Sequence, residues 1–235
     1  NLIAADGDQG DQFGWAVAAT PNHILAGAIM VDSDAPPFGR VNDTGAVYAY
    51  ARAQDGTWSQ TDVLTADDAR FNFQFGSSIA MEDGYALIGS RGNQAAYIFA
   101  RNGNRWGDQI RIQARDAEEG DQFGHTVALS GDIALIGAYG DDDIASFSGS
   151  AYIFTRSENG WSQTQKLVPQ DGALEDHFGW SVAMSGTTAV IGAPNRNDPV
   201  LGADVGAAYV YQLVDGTWTP LTQLTAATGT PGARF

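Results

Sequence analysis

A Phe-Gly dipeptide at the head of a short apolar segment returns along the 235 residues of this chain. Four copies are in phase with further markers, at Phe13-Gly14, Phe75-Gly76, Phe123-Gly124 and Phe178-Gly179, at intervals of 62, 48 and 55 residues. Each is followed in the same order by a glycine that ends an apolar run, a Tyr-x-aromatic segment and a tryptophan. Repeats of this length indicate an array of one supersecondary unit, and no other feature constrains the fold as strongly.

Each unit is predicted to be a four-stranded antiparallel sheet. Apolar and polar residues alternate with a period of two, as in the segment HTVALSGDIALIGA at residues 125–138. Asp-Gly or Asn-Gly dipeptides separate the third and fourth strands, and they tolerate the positive φ angles of tight hairpins. One sheet of about 50 residues cannot cover both of its faces, so the units are expected to pack sheet against sheet.

The predicted fold class is therefore all-β, a β-propeller built of four-stranded antiparallel blades. The blades are placed at residues 13–66, 67–114, 115–169 and 170–226. Residues 1–12 are interpreted as the end of a preceding blade and a linker, and residues 227–235 as the start of a further repeat. The four blades would then belong to a larger ring. Four aromatic side chains are expected to be buried between neighbouring blades, namely those of Phe13, Phe75, Phe123 and Phe178.

Charge and residue types argue against several classes of function. Twenty-eight acidic residues against 12 basic ones give a net charge of −16, which would repel a nucleic acid. The chain has no cysteine, so it can form neither a disulfide nor a thiolate site. No apolar run approaches the roughly 18 residues of a membrane span, so no membrane insertion is expected. The three histidines share no repeat position and no hydrolase motif is present, so the chain is not expected to be an enzyme.

The order of the repeat markers resembles the FG-GAP repeat of the integrin α-subunit N-terminal β-propeller family. The resemblance is clearest in FGWSVAMSGTTAVIGAPNRNDPVLGADVGAAYVY at residues 178–211. It implies an extracellular or cell-surface module for recognition or adhesion. Several blades of that family carry a calcium loop, D-x-D-x-D-G-x-x-D, between the first two strands. Here those turns are too short to surround an ion that needs six to eight oxygens, so the family's calcium sites do not carry over.

Aspartates recur in the turns between blades, seven and two residues before the Phe-Gly dipeptides. Such carboxylates could converge on calcium, which is the one cofactor the sequence leaves open. They could equally accept hydrogen bonds from backbone amides within the turns. The candidate metal ligands are Asp6, Asp11, Asp116, Asp121, Asp171 and Asp176.

The loop between the second and third strands is long in three units, at residues 29–44, 139–148 and 194–205. Variable loops on a constant scaffold commonly carry binding sites. These loops combine aspartates with apolar residues, a mixture that suits contact with a partner, although charge alone would also favour solubility. The candidate binding residues are Asp32, Asp34, Phe38, Asp141, Asp142, Asp143, Phe147, Asp198, Leu201 and Asp204.

Three functions of different class are consistent with the sequence. The first is a non-catalytic extracellular recognition or adhesion module that binds a protein or glycan through the long loops. The second is a structural subunit that associates with copies of itself through unpaired strand edges. The third is the propeller domain of, or an accessory to, a secreted hydrolase.

Overall fold

The computed structural model describes residues 2–35, 39–82, 84–228 and 230–234. This part of the chain contains no α-helix; it consists of strands, turns and one 3-10 turn at Arg91–Asn93. It therefore also contains no helix long and apolar enough to cross a membrane. The chain divides into two compact units, Asn1–Gln113 and Ala114–Phe235, each of which holds two four-stranded sheets.

The first unit contains two four-stranded antiparallel sheets and a small hairpin. The first sheet has the order β1-β2-β5-β6, the second has the order β7 to β10, and the hairpin β3-β4 lies in the loop after β2. The strands are β1 (Phe13–Ala19), β2 (His23–Ala28), β3 (Ser33–Ala35), β4 (Gly39–Val41), β5 (Ala46–Arg52), β6 (Trp58–Leu64), β7 (Phe75–Glu82), β8 (Tyr85–Ser90), β9 (Ala95–Asn102) and β10 (Arg105–Ile112).

The second unit contains two further sheets of the same topology, with strand orders β11 to β14 and β15 to β18. Neighbouring strands pair antiparallel in chain order, so the predicted four-stranded meander is confirmed. The strands are β11 (Thr126–Ser130), β12 (Ile133–Ala138), β13 (Ser150–Ser157), β14 (Gly160–Leu167), β15 (Ser181–Ser185), β16 (Thr188–Ala193), β17 (Ala207–Val214) and β18 (Thr217–Leu224).

The phenylalanine of the repeat packs edge-on against the tyrosine of the Tyr-x-aromatic segment. In the second unit Phe178 lies 5.2 Å from Tyr209 between ring centroids. Phe75, Phe123 and Phe178 are fully buried, as predicted. The prediction is wrong for Phe13, which is 37% exposed although it keeps the edge contact with its tyrosine. The face of β1 that carries it is largely uncovered within its unit.

Within each unit, the Phe-Gly backbone of the second sheet docks onto glycines of the first. The Phe178 amide donates to the Ser148 carbonyl oxygen at 2.9 Å. A Cβ atom placed on Gly137 would overlap the carbonyl oxygen of Gly179. The first unit repeats this arrangement, because a Cβ on Gly27 would overlap the Gly76 carbonyl oxygen. Each such contact therefore needs a residue without a side chain.

Candidate functional site

The aspartates that stand two residues before Phe-Gly close their own turns. Asp11 and Asp121 each accept a hydrogen bond at 2.7 Å from the backbone amide three residues earlier, and Asp176 does so at 2.8 Å. Burial raises the pKa of the Asp121 and Asp176 carboxyls above the ordinary value, and the amide bonds offset this only in part. One oxygen of each carboxylate is thus already bound by the backbone.

Of the aspartates that stand seven residues before Phe-Gly, Asp6, Asp68 and Asp171 receive hydrogen bonds from buried tyrosines. The Tyr209 hydroxyl donates to Asp171 at 2.9 Å, and Arg196 pairs with the same carboxylate at 2.8 Å. Asp6 accepts from Tyr48, whose pKa is raised by burial and by this bond. Sequence reasoning found these aspartates and the tyrosines but did not connect them.

Asp116 belongs to a cluster in the second unit that is organised by the one lysine of the chain, Lys166. Its ammonium nitrogen lies 2.8 Å from Asp116, 2.7 Å from Asp141 and 2.5 Å from Asp143. The Tyr152 hydroxyl donates to Asp141 at 2.7 Å. Among the described residues, these are the only three carboxylates whose oxygens lie within 4.8 Å of one another.

The geometry of this lysine cluster fits an internal ion pair better than a calcium site. The ammonium group takes the central position from which a metal ion would contact all three carboxylates, and calcium needs at least six oxygens. Burial alone would raise the pKa of Asp141, but the bonds from Lys166 and Tyr152 outweigh it, so the pKa lies below the ordinary value. The pKa of Lys166 is raised despite its burial, because Asp116, Asp141 and Asp143 all accept hydrogen bonds from its ammonium group.

The predicted binding residues of the long loops lie in several different environments. Some of them hold their own loops: Asp32 accepts from the Asp43 amide at 3.0 Å, and Asp198 accepts from the amides of Val200 and Leu201 at 2.8 and 2.9 Å. Others are exposed, as Asp142 is. Asp34 lies in the hairpin strand β3, and Phe38 lies outside the described residues.

The second unit also contains a group of aromatic rings that we call the aromatic cluster: His125, Tyr139, His177 and Trp180. The ring centroid of Trp180 lies 4.7 Å from Tyr139, 4.9 Å from His125 and 5.9 Å from His177. The predicted binding residue Phe147 contacts it, since its ring lies 6.0 Å from His177. Tyr139 and Phe147 both belong to the loop at residues 139–148, so this loop and the aromatic cluster form one surface.

A cavity of about 510 Å³ opens beside the aromatic cluster, and we call it the aromatic cavity. A volume of this size is typical of small-molecule sites. Pro194 and Asn195 bring the loop at residues 194–205 to its wall, and the side-chain amide of Asn195 lies 2.8 Å from Nδ1 of His177. The lining residues are His177, Trp180, Ser181, Pro194, Asn195 and Arg234.

Sequence reasoning did not single out the residues that line the aromatic cavity, although Pro194 and Asn195 belong to a loop that it predicted to bind a partner. A signal was available in the repeat itself. His125 and Trp180 directly follow Phe-Gly in adjacent repeats, and Tyr139 and Pro194 directly follow the second strand of the same two repeats. Equivalent positions of adjacent repeats lie side by side, so an aromatic residue at such positions builds a shared surface.

Burial favours the uncharged form of His177 at the cavity wall. Burial lowers its pKa below the ordinary value, and the positive charge of Arg234 acts in the same direction, against opposing acidic neighbours. The side-chain amide nitrogen of Asn195 can only donate, so this contact selects the tautomer in which Nδ1 accepts and Nε2 carries the ring hydrogen. The imidazole therefore offers one donor besides its bond to Asn195.

The backbone of Arg234 is held at the cavity by the same hydrogen bond and the same positive φ as the backbone of His177. Its amide donates to the Asp204 carbonyl oxygen at 3.1 Å, as the His177 amide donates to that of Phe147 at 3.1 Å. Both donors adopt a positive φ, 51° for Arg234 and 57° for His177. The predicted binding residue Asp204 thus acts through its backbone, by holding Arg234.

Comparison with known proteins identifies the repeat. The FG-GAP repeat pattern matches residues 1–50, 58–99, 106–154 and 161–211 of this chain. No curated protein matches it in sequence.

Several solved structures share the fold at very low sequence identity. Two are provisionally described as 6-phosphogluconolactonases: one from Bacteroides fragilis (TM-score 0.62, 11% identity) and one from Bacteroides uniformis (0.60, 12%), each with 92% of this chain and 57% of the other covered. The hydrazine synthase of Kuenenia stuttgartiensis gives a TM-score of 0.54 at 9% identity, with 97% and 54% covered. This chain thus spans little more than half of their length. With the repeat match, they confirm the predicted β-propeller fold.

Proposed function

This chain belongs to the FG-GAP repeat family, and from that premise we propose that it is a non-catalytic recognition module. The ligand would bind in the aromatic cavity of the second unit, which the loop at residues 194–205 lines through Pro194 and Asn195. Such a module is consistent with an extracellular or cell-surface setting, where a strongly acidic surface keeps a protein dispersed.

One observation carries this proposal: the loop at residues 194–205 lines the cavity through Pro194 and Asn195, and the loop at residues 139–148 packs against two of its lining rings, Trp180 and His177. Trp180 lines it and is 43% exposed, whereas the repeat phenylalanine two residues earlier is fully buried. Exposed aromatic side chains that are held by aromatic neighbours give large contact areas at little cost in conformational entropy.

The hydrogen bonding at His177 supports binding without catalysis. Serine hydrolases orient their general-base histidine with a carboxylate on one nitrogen, and the hydrolases that use asparagine instead need a cysteine nucleophile, which this chain does not have. Here that position on Nδ1 is taken by the amide of Asn195, and the nearby buried carboxylate of Asp176 accepts from the Ala173 amide instead. The similarity to named enzymes is a similarity of fold, which many unrelated functions share.

The test is a binding screen of the labelled chain against immobilised glycans and peptides. We expect signals that disappear with Trp180→Ala and persist with Trp15→Ala. Trp15 is a matched control because it also follows Phe-Gly, is 50% exposed and lies in the other unit, where the Arg91 guanidinium stacks on it at 5.6 Å. Signals that survive Trp180→Ala but are lost with Trp15→Ala would show that the site is elsewhere.

A second candidate function is self-association, and it is favoured by the uncovered face of the sheet β15–β18. Burial alternates along β16, whereas the equivalent β12 is buried on both faces apart from its first residue. Leu221 and Leu224 on β18 are exposed as well. A half-covered sheet face of this kind is a typical contact surface between protein copies.

Sedimentation velocity over a wide range of protein concentrations tests self-association. If copies cover this face, the sedimentation coefficient should rise with concentration, and Leu221→Asp should abolish the rise. A constant monomer mass at every concentration would contradict self-association. That result would not bear on the proposed ligand binding in the aromatic cavity.

A further inference from the structure

We propose that the ligand of the aromatic cavity is a neutral pyranose sugar that stacks one face on the indole ring of Trp180. This inference rests on the proposed function and specifies its ligand class. It follows from three properties of the cavity: a fixed aromatic platform, a ring of hydroxyl-binding groups and a balance of charges.

The platform is the ring of Trp180. Tyr139 and His125 lie 4.7 and 4.9 Å from it between centroids, so its orientation is set before any ligand arrives. The axial C–H groups on one face of a pyranose form a flat apolar patch that matches an aromatic surface. Burying that patch against a preordered ring gives favourable contact without the entropy cost of ordering a flexible side chain.

Hydrogen-bonding groups surround the platform. The lining contributes the hydroxyl of Ser181, the side-chain amide of Asn195 and the guanidinium of Arg234. The neutral imidazole of His177 adds the donor on Nε2. Sugar hydroxyls both donate and accept, so a mixed set of hydroxyl, amide and N–H groups suits them better than it suits an apolar ligand.

The balance of charges favours a ligand without net charge. Arg234 lines the cavity and repels a cationic ligand, although aromatic rings alone would attract one. Glu175 and Asp204 lie close enough to act electrostatically on His177, and the chain as a whole carries −16, so an anionic ligand is repelled at long range. A neutral polyhydroxylated molecule meets neither barrier.

The experiment titrates the purified chain with methyl pyranosides of glucose, galactose, mannose and N-acetylglucosamine, followed by tryptophan fluorescence and ligand-observed NMR. Methyl glucuronide and choline serve as the anionic and cationic probes. We expect at least one neutral pyranoside to bind more tightly than both charged probes. Trp180→Ala should weaken that binding by roughly tenfold or more, and Trp180→Phe by less.

Trp15→Ala is the matched control and should leave pyranoside binding unchanged, and thermal unfolding curves show whether each variant is folded. Preference for a charged probe would overturn the inference. No pyranoside binding, with array signals that still depend on Trp180, would overturn the ligand class while the proposed function stands. Pyranoside binding that is insensitive to Trp180→Ala and to Asn195→Ala would overturn both.

Discussion

At the scale of single residues, the repeat uses one tyrosine position in four electrostatic settings. In each of the four repeats, the tyrosine of the Tyr-x-aromatic segment is hydrogen-bonded to an aspartate, as Tyr97 is to Asp68 at 2.6 Å. The residue paired with this tyrosine on the fourth strand differs among the four repeats. In the third repeat it is Lys166, whose ammonium group lies among three carboxylates. In chain order these opposing residues are Val63, Arg111, Lys166 and Gln223.

The lysine cluster makes a prediction about Asp141. Asp141→Asn removes a buried charge that Lys166 and Tyr152 both bind, so the free energy of unfolding near pH 7 should fall by about 2 kcal/mol in urea titrations. The pKa of Asp141 is lowered in the folded state, so its stabilising contribution is present above the unfolded pKa of about 3.9 and is lost as pH falls through the folded pKa. The variant should accordingly lose less stability than the parent in acid.

Asp121→Asn is the matched control, because Asp121 is equally buried but its pKa is raised by burial. Its charge costs stability above the folded pKa, and the cost is relieved as pH falls through that pKa. The asparagine oxygen can still accept from the Glu118 amide, so stability near pH 7 should stay equal or rise by up to about 1 kcal/mol. Equal destabilisation by both substitutions would contradict the distinction drawn between the two aspartates.

At the scale of strands and sheets, the glycines near the ends of β2 and β12, Gly27 and Gly137, do more than stop the apolar run. The sequence predicted the strands from period-two alternation and the hairpins from Asp-Gly and Asn-Gly, and the structure confirms both. It gave no reason for the glycine, because the reason is a backbone from another repeat. The Gly76 carbonyl oxygen lies where a Cβ of Gly27 would be, and sequence separation hides that contact.

Gly27→Ala should therefore destabilise the first unit by about 2 to 3 kcal/mol, because the added methyl group meets backbone atoms that cannot move aside. Gly107→Ala on β10 is the control: no atom lies within 4 Å of the added methyl group, and its φ is not in the positive range. That substitution should be neutral or stabilising by about 0.5 kcal/mol. Chemical denaturation of both variants gives the comparison, and a larger loss for Gly107→Ala would refute the packing argument.

At the scale of the whole molecule, the sequence predicts architecture well and the site poorly, for a physical reason. Architecture depends on features that recur in every repeat. The aromatic cavity depends on differences between repeats, since Trp180, Asn195 and Arg234 come from three separate segments and only the fold brings them together. Burial shows the same limit, since Phe13 carries the same repeat signature as Phe178 but is far more exposed.

The net charge of −16 gives a prediction for the entire chain. Like charges repel one another across the compact state, and salt screens this repulsion, with a Debye length that shrinks from about 30 Å at 0.01 M to about 3 Å at 1 M. Adding sodium chloride over that range should raise the melting temperature by about 2 to 4 °C, which corresponds to roughly 1 kcal/mol. Calorimetry measures the shift, and a lower melting temperature in salt would mean that attractive pairs such as the lysine cluster outweigh the repulsion.

The docking of a Phe-Gly backbone onto the glycines of the preceding sheet, seen once within each unit, has a consequence for how such genes can change. In both units the contact joins the same elements, a dipeptide on one side and a bare glycine on the other. A recombination event that copies or removes one full repeat therefore leaves a matching dipeptide and glycine at the new junction. Copy number can drift in evolution without new interface residues, while divergence concentrates in the loops above.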